Sequence, residues 1–454
     1  MGRKHKEARK WTGVQIVHPN AAGLDVASDS IYACVPPDRA EQPVRCFGTY
    51  TPDLKDLADW LKGCGVDTVA MESTGVYWIP IYEVLDASGL NVQVVNARHL
   101  MHAPGRKSDV QDCQWIQEMH TIGLLNASFR PDAEMCVLRA YLRQRSMLIE
   151  HRAAHIQHMQ KAMRQMNVVL TEVLSDITGG TGMRIVRAIT EGEQNPEVLA
   201  ALRDPKCAKT SEEFIKALTG NYREEHLFAL RQALSLYDTY TAQVLECDRE
   251  LERLFSNMKP IHDDELPPLD RSDKRDSKCK NAPTYDARGL LYELLGVDLV
   301  AITGLNQSTV QTIISEIGTD LSAFPTVKCF CSWLGLAPHN DISGGTVLKS
   351  KTLKTHNKAG QAFRMAAQSV SHNSDSAFGA FYRRMCMRVG SPQAIVATAH
   401  KIARVFYHML KHRVPFTKVT AEEYDQQVRD RKVRRVRQEA SKLGFRLVEI
   451  AAPA

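Results

Sequence analysis

Between residues 14 and 130, short apolar runs rich in β-branched residues alternate with segments of helical period. The runs predict strands at Gly23–Ala27, Ile31–Val35, Val44–Thr49, Thr68–Glu72 and Val92–Asn96. The helical period predicts helices over Leu54–Lys62 and Val76–Ala87 and a third starting near Asp109. From 132 to 171 the pattern changes. Leu142, Ile149, Ile156, Met163 and Leu170 recur every seven residues, Leu138, Met159 and Met166 fill alternate seam positions, and Arg145 and Arg152 interrupt the stripe. That predicts a long helix of coiled-coil type. A second long helix is expected from His226 to about Asn257, with Leu227, Leu230, Leu234, Tyr237, Val244, Leu251 and Phe255 on one side. The two would pair within the chain or across a dimer. Gly179–Gly182 breaks the chain between them, and 183–225 reads as a small helical insert.

Three strands, helix, strand, helix, strand, helix is the element order of a ribonuclease-H-like fold. The expected organisation is therefore an α/β domain over 14–130, a long-helix arm with its insert over 131–259, a charged, proline-bearing linker over 260–289, a mostly α domain over 290–415 and a basic tail over 416–454.

Against this apolar background four carboxylates stand out. Asp25 and Glu72 each lie near the end of an apolar strand, where burying a charge is costly without a compensating cation or donors. Asp109 and Asp112 lead into a helix and share one face of it. Four such oxygen donors suit hard divalent ions, and a pair of Mg²⁺ ions would clamp both oxygens of a phosphodiester displacement. Arg106 and Lys107, just ahead, would contact the scissile phosphate or pair with nearby carboxylates. Tyr77 and Trp78 read as core residues packing a helix on the sheet, with contact to a metal ligand or DNA as the other role for Tyr77.

Composition adds little. Of 454 residues 44% are apolar and 24% charged, as in an ordinary globular chain, and the net charge of +6 does not by itself imply nucleic acid. The basic residues are, however, concentrated in the first ten positions and from Arg429 to Arg446. Eleven cysteines without paired metal spacing suggest reduced thiols, and no apolar run predicts a membrane span or signal core; Lys6 weakens a myristoylation reading of Met1-Gly2. A cytoplasmic protein is expected.

The second chemical cluster lies in the C-terminal half. Val297-Asp298-Leu299 through Gly318 resembles a helix-hairpin-helix, with Asn306 where a second glycine is usual, or a plain helix–turn–helix packing element. Ser343 precedes Gly344 and Gly345, so its hydroxyl is expected on an open turn, followed by Lys349, Lys351, Lys354, Lys358 and Arg364. An exposed serine beside cations suits a nucleophile toward phosphate, or it is simply a loop residue. His102, His339 and His356 are candidates for surface or phosphate contact rather than proton transfer.

Together these motifs carry a resemblance: Gly23-Leu24-Asp25-Val26-Ala27, Met71-Glu72-Ser73-Thr74-Gly75-Val76-Tyr77-Trp78 and Lys107-Ser108-Asp109-Val110-Gln111-Asp112, then Gly335-Leu336-Ala337-Pro338-His339-Asn340-Asp341-Ile342-Ser343-Gly344 and Asn357-Lys358-Ala359-Gly360-Gln361-Ala362-Phe363-Arg364. The chain resembles, over nearly its whole length, the DEDD transposases or recombinases of insertion sequences whose target choice is guided by a bridge RNA. The departures are Cys113 where alanine is usual and a longer region over 180–285. The resemblance implies a RuvC-like (Holliday-junction-resolvase-like) ribonuclease-H fold with Asp25, Glu72, Asp109 and Asp112 as catalytic metal ligands for Mg²⁺, Mn²⁺ being a substitute. It implies Ser343 as a nucleophile forming a phosphoserine link, with Arg106, Lys107, Lys351, Lys354, Lys358 and Arg364 as nucleic-acid contacts. Donor and target DNA, a guide RNA, and a homodimer or a synaptic tetramer are the implied partners, with no membrane. Two rivals remain: a metal-dependent junction endonuclease using activated water, and a non-enzymatic RNA-binding scaffold.

Overall fold

The structure, a computed structural model, describes residues 15–73, 75–96, 108–261, 266–268, 280–352, 357–373, 375–446 and 448. The chain divides into two compact units, Met1–Arg130 and Pro131–Ala454.

The first unit is built on a five-stranded sheet: β1 (Ala21–Val26), β2 (Ile31–Cys34), β3 (Val44–Phe47), β4 (Thr68–Glu72) and β5 (Asn91–Val95), in the order β3-β2-β1-β4-β5. β2 is antiparallel to both β1 and β3, whereas β1, β4 and β5 run parallel. The period of two sorts the side chains. Leu24, Val26, Val69, Met71 and Val94 point into a core with Leu54, Leu57 and Leu61 of α1 (Thr51–Gly63) and Ile81 and Leu85 of α2 (Trp78–Ala87). The opposite face, with Ala70 and Val95, packs on Ile116 of α3 (Asp109–Thr121). Every predicted strand and helix of this unit is present, within a few residues of its predicted ends.

The second unit is mostly helical. Its α4 (Ala133–Gln165), α5 (Gly180–Thr190), α6 (Pro196–Ala201), α7 (Ser211–Leu218) and α8 (Glu224–Asn257) share one apolar core. There follow α9 (Ala287–Leu295), α10 (Gln307–Ile317), α11 (Val327–Trp333), the hairpin β6 (Pro338–Ser343) and β7 (Thr346–Thr352), α12 (Lys358–Ser371), α13 (Ala377–Val389), α14 (Ser391–His412) and α15 (Ala421–Lys442). The long helices α4 and α8 pair antiparallel within the chain, as Arg145 meeting Asp248 and Arg152 meeting Thr241 require. Their apolar stripes are therefore covered intramolecularly. The segment Gly179–Gly182 is not a break alone, because α5 begins at Gly180. Half of the expected charged linker lies outside the described residues, but Asn281–Thr284 within it are tied to the helix pair. Among the described residues, no helix is long and apolar enough to cross a membrane.

Arg145, which breaks the heptad stripe, is buried with Asp248 in a two-pronged ion pair, Nε–Oδ1 2.5 Å and Nη2–Oδ2 3.2 Å. Its remaining donors reach the carbonyls of Asn281 and Ala282, and Thr284 donates to Asp248. Each charge is thus paired and its hydrogen bonds are met, the condition under which burial is tolerated. Arg145→Ala is expected to cost about 3–5 kcal/mol in urea denaturation, because Asp248 is left charged and buried. The double change Arg145→Met with Asp248→Leu should recover most of that loss.

Candidate active site

Asp25 is one residue from the end of β1 and Glu72 ends β4. The parallel register pairs Leu24 with Met71, so Asp25 and Glu72 lie one step further, side by side on adjacent strands and on the same face. That face is the one covered by α3. Gly23 explains how close the helix comes: a Cβ at this position would run into the backbone nitrogen of Gln117 and the backbone oxygen of Cys113. Further along, the Gln117 amide donates to the carbonyl of Ala21 at 3.4 Å and to Thr121 at 2.8 Å, and Thr68 Oγ1 lies 3.0 Å from His120 Nε2. Burial, then the nearby ring of His18, holds His120 down to about 4, so it packs as a neutral imidazole. The far end of α3 is thereby fastened to the strand starts, and its first turn, carrying Asp109 and Asp112, comes over the carboxyl ends of β1 and β4.

The electrostatics agree with this convergence. Desolvation, followed by the charges of Asp109, Asp112 and Glu72, pushes the Asp25 carboxyl up from 3.8 to about 6. Four carboxylates from three elements thus act on one point, a charge concentration that a divalent cation would relieve. The donor set, all carboxylate oxygen, fits a hard ion. Among the described residues, however, no three His, Cys, Asp or Glu side chains close around one ion position. Glu72, Asp109 and Asp112 nevertheless act on Asp25 through their charges.

Tyr77 differs from the expectation of a core residue: it precedes the first turn of α2 and is 46% exposed beside an exposed Val76. Trp78 does pack against the core, edge-on to Tyr82. Gly23 was the residue that pattern reading passed over. Its signal was a glycine within the apolar run Ala21–Val26, and glycine in a strand is a common mark of close backbone approach. Gly23→Ala is expected to push α3 off the sheet, to destabilise by about 1–3 kcal/mol, and to lower turnover about 10²-fold if Asp109 and Asp112 shift by about 1 Å. Urea denaturation and a strand-cleavage assay check both.

In the second unit, Ser343 ends β6 and is exposed. It pairs with Thr346 across a two-residue turn in which Gly344 and Gly345 have φ of +56° and +79°. Positive φ at both positions is the type I′ hairpin turn, which side-chain-bearing residues resist. The serine therefore stands at the tip of a solvent-exposed two-stranded ribbon. On the same ribbon, Asp341 lies opposite Lys349, 4.0 Å away, and 3.5 Å from His339, while Lys351 lies opposite His339. Lys358 is exposed at the start of α12. Arg364 is half-buried and donates to the carbonyl of Gly335 at 2.8 Å, bracing that turn rather than presenting an open cation. Asn306 is also not in a left-handed conformation: with φ −121° it is the extended N-cap of α10, accepting from the amide of Thr309. A 3₁₀ turn, Leu299–Ala301, stands where the first helix of the hairpin was expected to end. Arg106, Lys107, Lys354, His102 and His356 lie outside the described residues.

A mixed sheet with acids gathered at its central strand ends and on a helix laid across them defines a DEDD domain of ribonuclease-H type. Comparison with known proteins agrees. A family model for the DEDD transposase domain of the IS110 type, described as transposase, matches residues 22–168. A model described as transposase IS116/IS110/IS902 family matches residues 298–383. The chain belongs to the IS110 family of DEDD transposases. Curated relatives include the pilin gene-inverting proteins of Moraxella bovis and Moraxella lacunata, each 29% identical over 123 residues, or 26% of this chain. The matched segment spans 38% of each relative's length.

Proposed function

We propose that this protein cuts and exchanges DNA strands at the ends of an insertion sequence, with Ser343 as the nucleophile and Asp25, Glu72, Asp109 and Asp112 as the ligands of Mg²⁺ or Mn²⁺. The observation that carries this reading is the convergence of three further carboxylates on Asp25, which with burial as the larger cause push its carboxyl up to about 6. Carboxylates gathered at the strand ends are suited to cation-dependent phosphate chemistry. A divalent ion bound there would neutralise the phosphate charge that develops during displacement. The Ser343 oxygen would form a bond to phosphorus as the bond to the 3′ oxygen breaks; the serine proton is lost and the 3′ oxygen gains one. Attack by an incoming 3′ hydroxyl would reverse the step and rejoin strands, so no nucleotide cofactor is needed. Lys349 and Lys351 on the same ribbon are suited to hold the phosphate.

The partners in this reading are donor and target DNA, an element-encoded guide RNA that supplies sequence choice by base pairing, and a second copy of the chain, or a tetramer at synapsis. The relatives named for pilin gene inversion fit a DNA-rearranging role. The test is to incubate the protein with Mg²⁺, the RNA flanking its element and a suicide DNA substrate, then to map any covalent adduct by mass spectrometry. An adduct on Ser343 is expected. Cleavage without an adduct would replace this reading with a hydrolytic junction endonuclease.

A further inference from the structure

The basic segment near the end of the chain is an ordered helix. α15 spans 22 residues and is fixed by a capping box between Thr420 and Glu423. Tyr424 alone among its residues is buried. From Arg429 to Lys442 it carries seven Lys and Arg residues against two carboxylates, Asp430 and Glu439. Its apolar residues beyond Tyr424 are three valines and an alanine, with no aromatic, too little to enter a lipid surface.

The foot of this helix is unusual. Lys401 of α14 sits with its Nζ 3.9 Å from the centre of the Tyr424 ring and 4.7 Å from that of Phe381. The Tyr424 hydroxyl accepts from Arg384 of α13 at 2.8 Å. Burial, then the positive charges of Arg384, Arg431 and Arg404, holds Lys401 down to about 8. Gathering four cations from three helices is unfavourable unless an anion joins them.

We propose that α15 is a duplex-DNA-binding element, its exposed basic length lying in the major groove while Arg384, Lys401, Arg404 and Arg431 at its foot take a backbone phosphate. The inference rests on the reading that the chain works on DNA. Geometry selects the duplex. At 1.5 Å per residue the basic stretch from Arg429 to Lys442 is about 21 Å long, enough to lie along a major groove about 12 Å wide. The B-form major groove admits an α-helix, whereas the narrow major groove of A-form RNA does not.

The test uses the full-length protein, a DNA duplex without element sequence, the same sequence as duplex RNA, and fluorescence anisotropy across a KCl series. One variant carries Arg431→Gln, Lys432→Gln and Arg434→Gln, and a second Arg404→Gln alone; all four positions are exposed. Unchanged thermal melts by circular dichroism check that each is folded. The triple variant is expected to bind DNA at least about ten-fold more weakly, and its log Kd–log salt slope to fall by about 0.9 for each phosphate no longer engaged. Arg404→Gln should release about one phosphate, with a correspondingly smaller fall in slope. Wild-type binding with unchanged affinity and slope in both variants would overturn the inference and leave the reading of function intact. A loss confined to duplex RNA would also overturn it. Absence of any salt-dependent DNA binding by the wild-type protein would instead remove the reading of function itself.

Discussion

The Ser343→Ala protein is expected to form no covalent DNA adduct and to lose strand exchange by at least about 10⁴-fold, the order seen when a nucleophile is removed from an enzyme whose other groups remain. The expectation follows from the ribbon. Ser343 lies at the hairpin tip, with Gly344 and Gly345 holding a turn that keeps bulk away from its hydroxyl. The residue makes no contribution to a packed core, so its truncation should leave the thermal melt within a degree or two of wild type. DNA affinity should also remain, since the cations that attract the backbone are untouched. Retention of exchange by Ser343→Ala, with cleaved ends bearing no protein, would assign the displacement to water and the serine to the turn.

The second large effect is expected at Asp25. Asp25→Asn should lower strand exchange by at least about 10²–10³-fold, as loss of a single preorganised electrostatic group does, yet stabilise the chelator-treated protein at neutral pH. The sign follows from the shift. The folded-state value of about 6 lies above the ordinary 3.8, so between them the folded chain binds more protons than the unfolded one. Stability therefore falls as pH rises through that window, and the cost of ionised Asp25 is fully present above about 6 and absent below about 4. Thermal melts of the two proteins should converge at the acid end of this range and separate at neutral pH, with the Asn variant higher. Adding Mg²⁺ should raise the melting temperature of wild type more than that of the variant, since a ligand that binds only the folded state stabilises it. Equal melting temperatures across the whole pH range would show that neither burial nor the neighbouring carboxylates raise Asp25.

Much of this was legible because it rested on local periodicity. The alternation in β1 and β4 placed Leu24 and Met71 inward and Asp25 and Glu72 opposite, and the i, i+3 spacing placed Asp109 with Asp112. Less was legible where a residue's role is set by what lies far along the chain. Tyr77 had the composition of a core residue but lies at the exposed entry to α2. Arg145 read as a flaw in a heptad stripe until Asp248, 103 residues later, came to meet it. Asn306 had the tolerance for a left-handed turn but was used as a helix cap.

The sequence by itself determined the elements of the first unit, their order, and which acids stand nearly alone in apolar strands, since propensity and side-chain alternation act over a few residues. Only the tertiary structure decided that Gly23 is the seat of α3, that the two long helices cover each other within one chain, that the basic C-terminal segment is a helix with Lys401 and three arginines at its foot, and that carboxylates from β4 and α3 bear on Asp25 of β1. Those are distances between residues remote in the chain. They follow from strand order and helix packing, which no short stretch of sequence encodes.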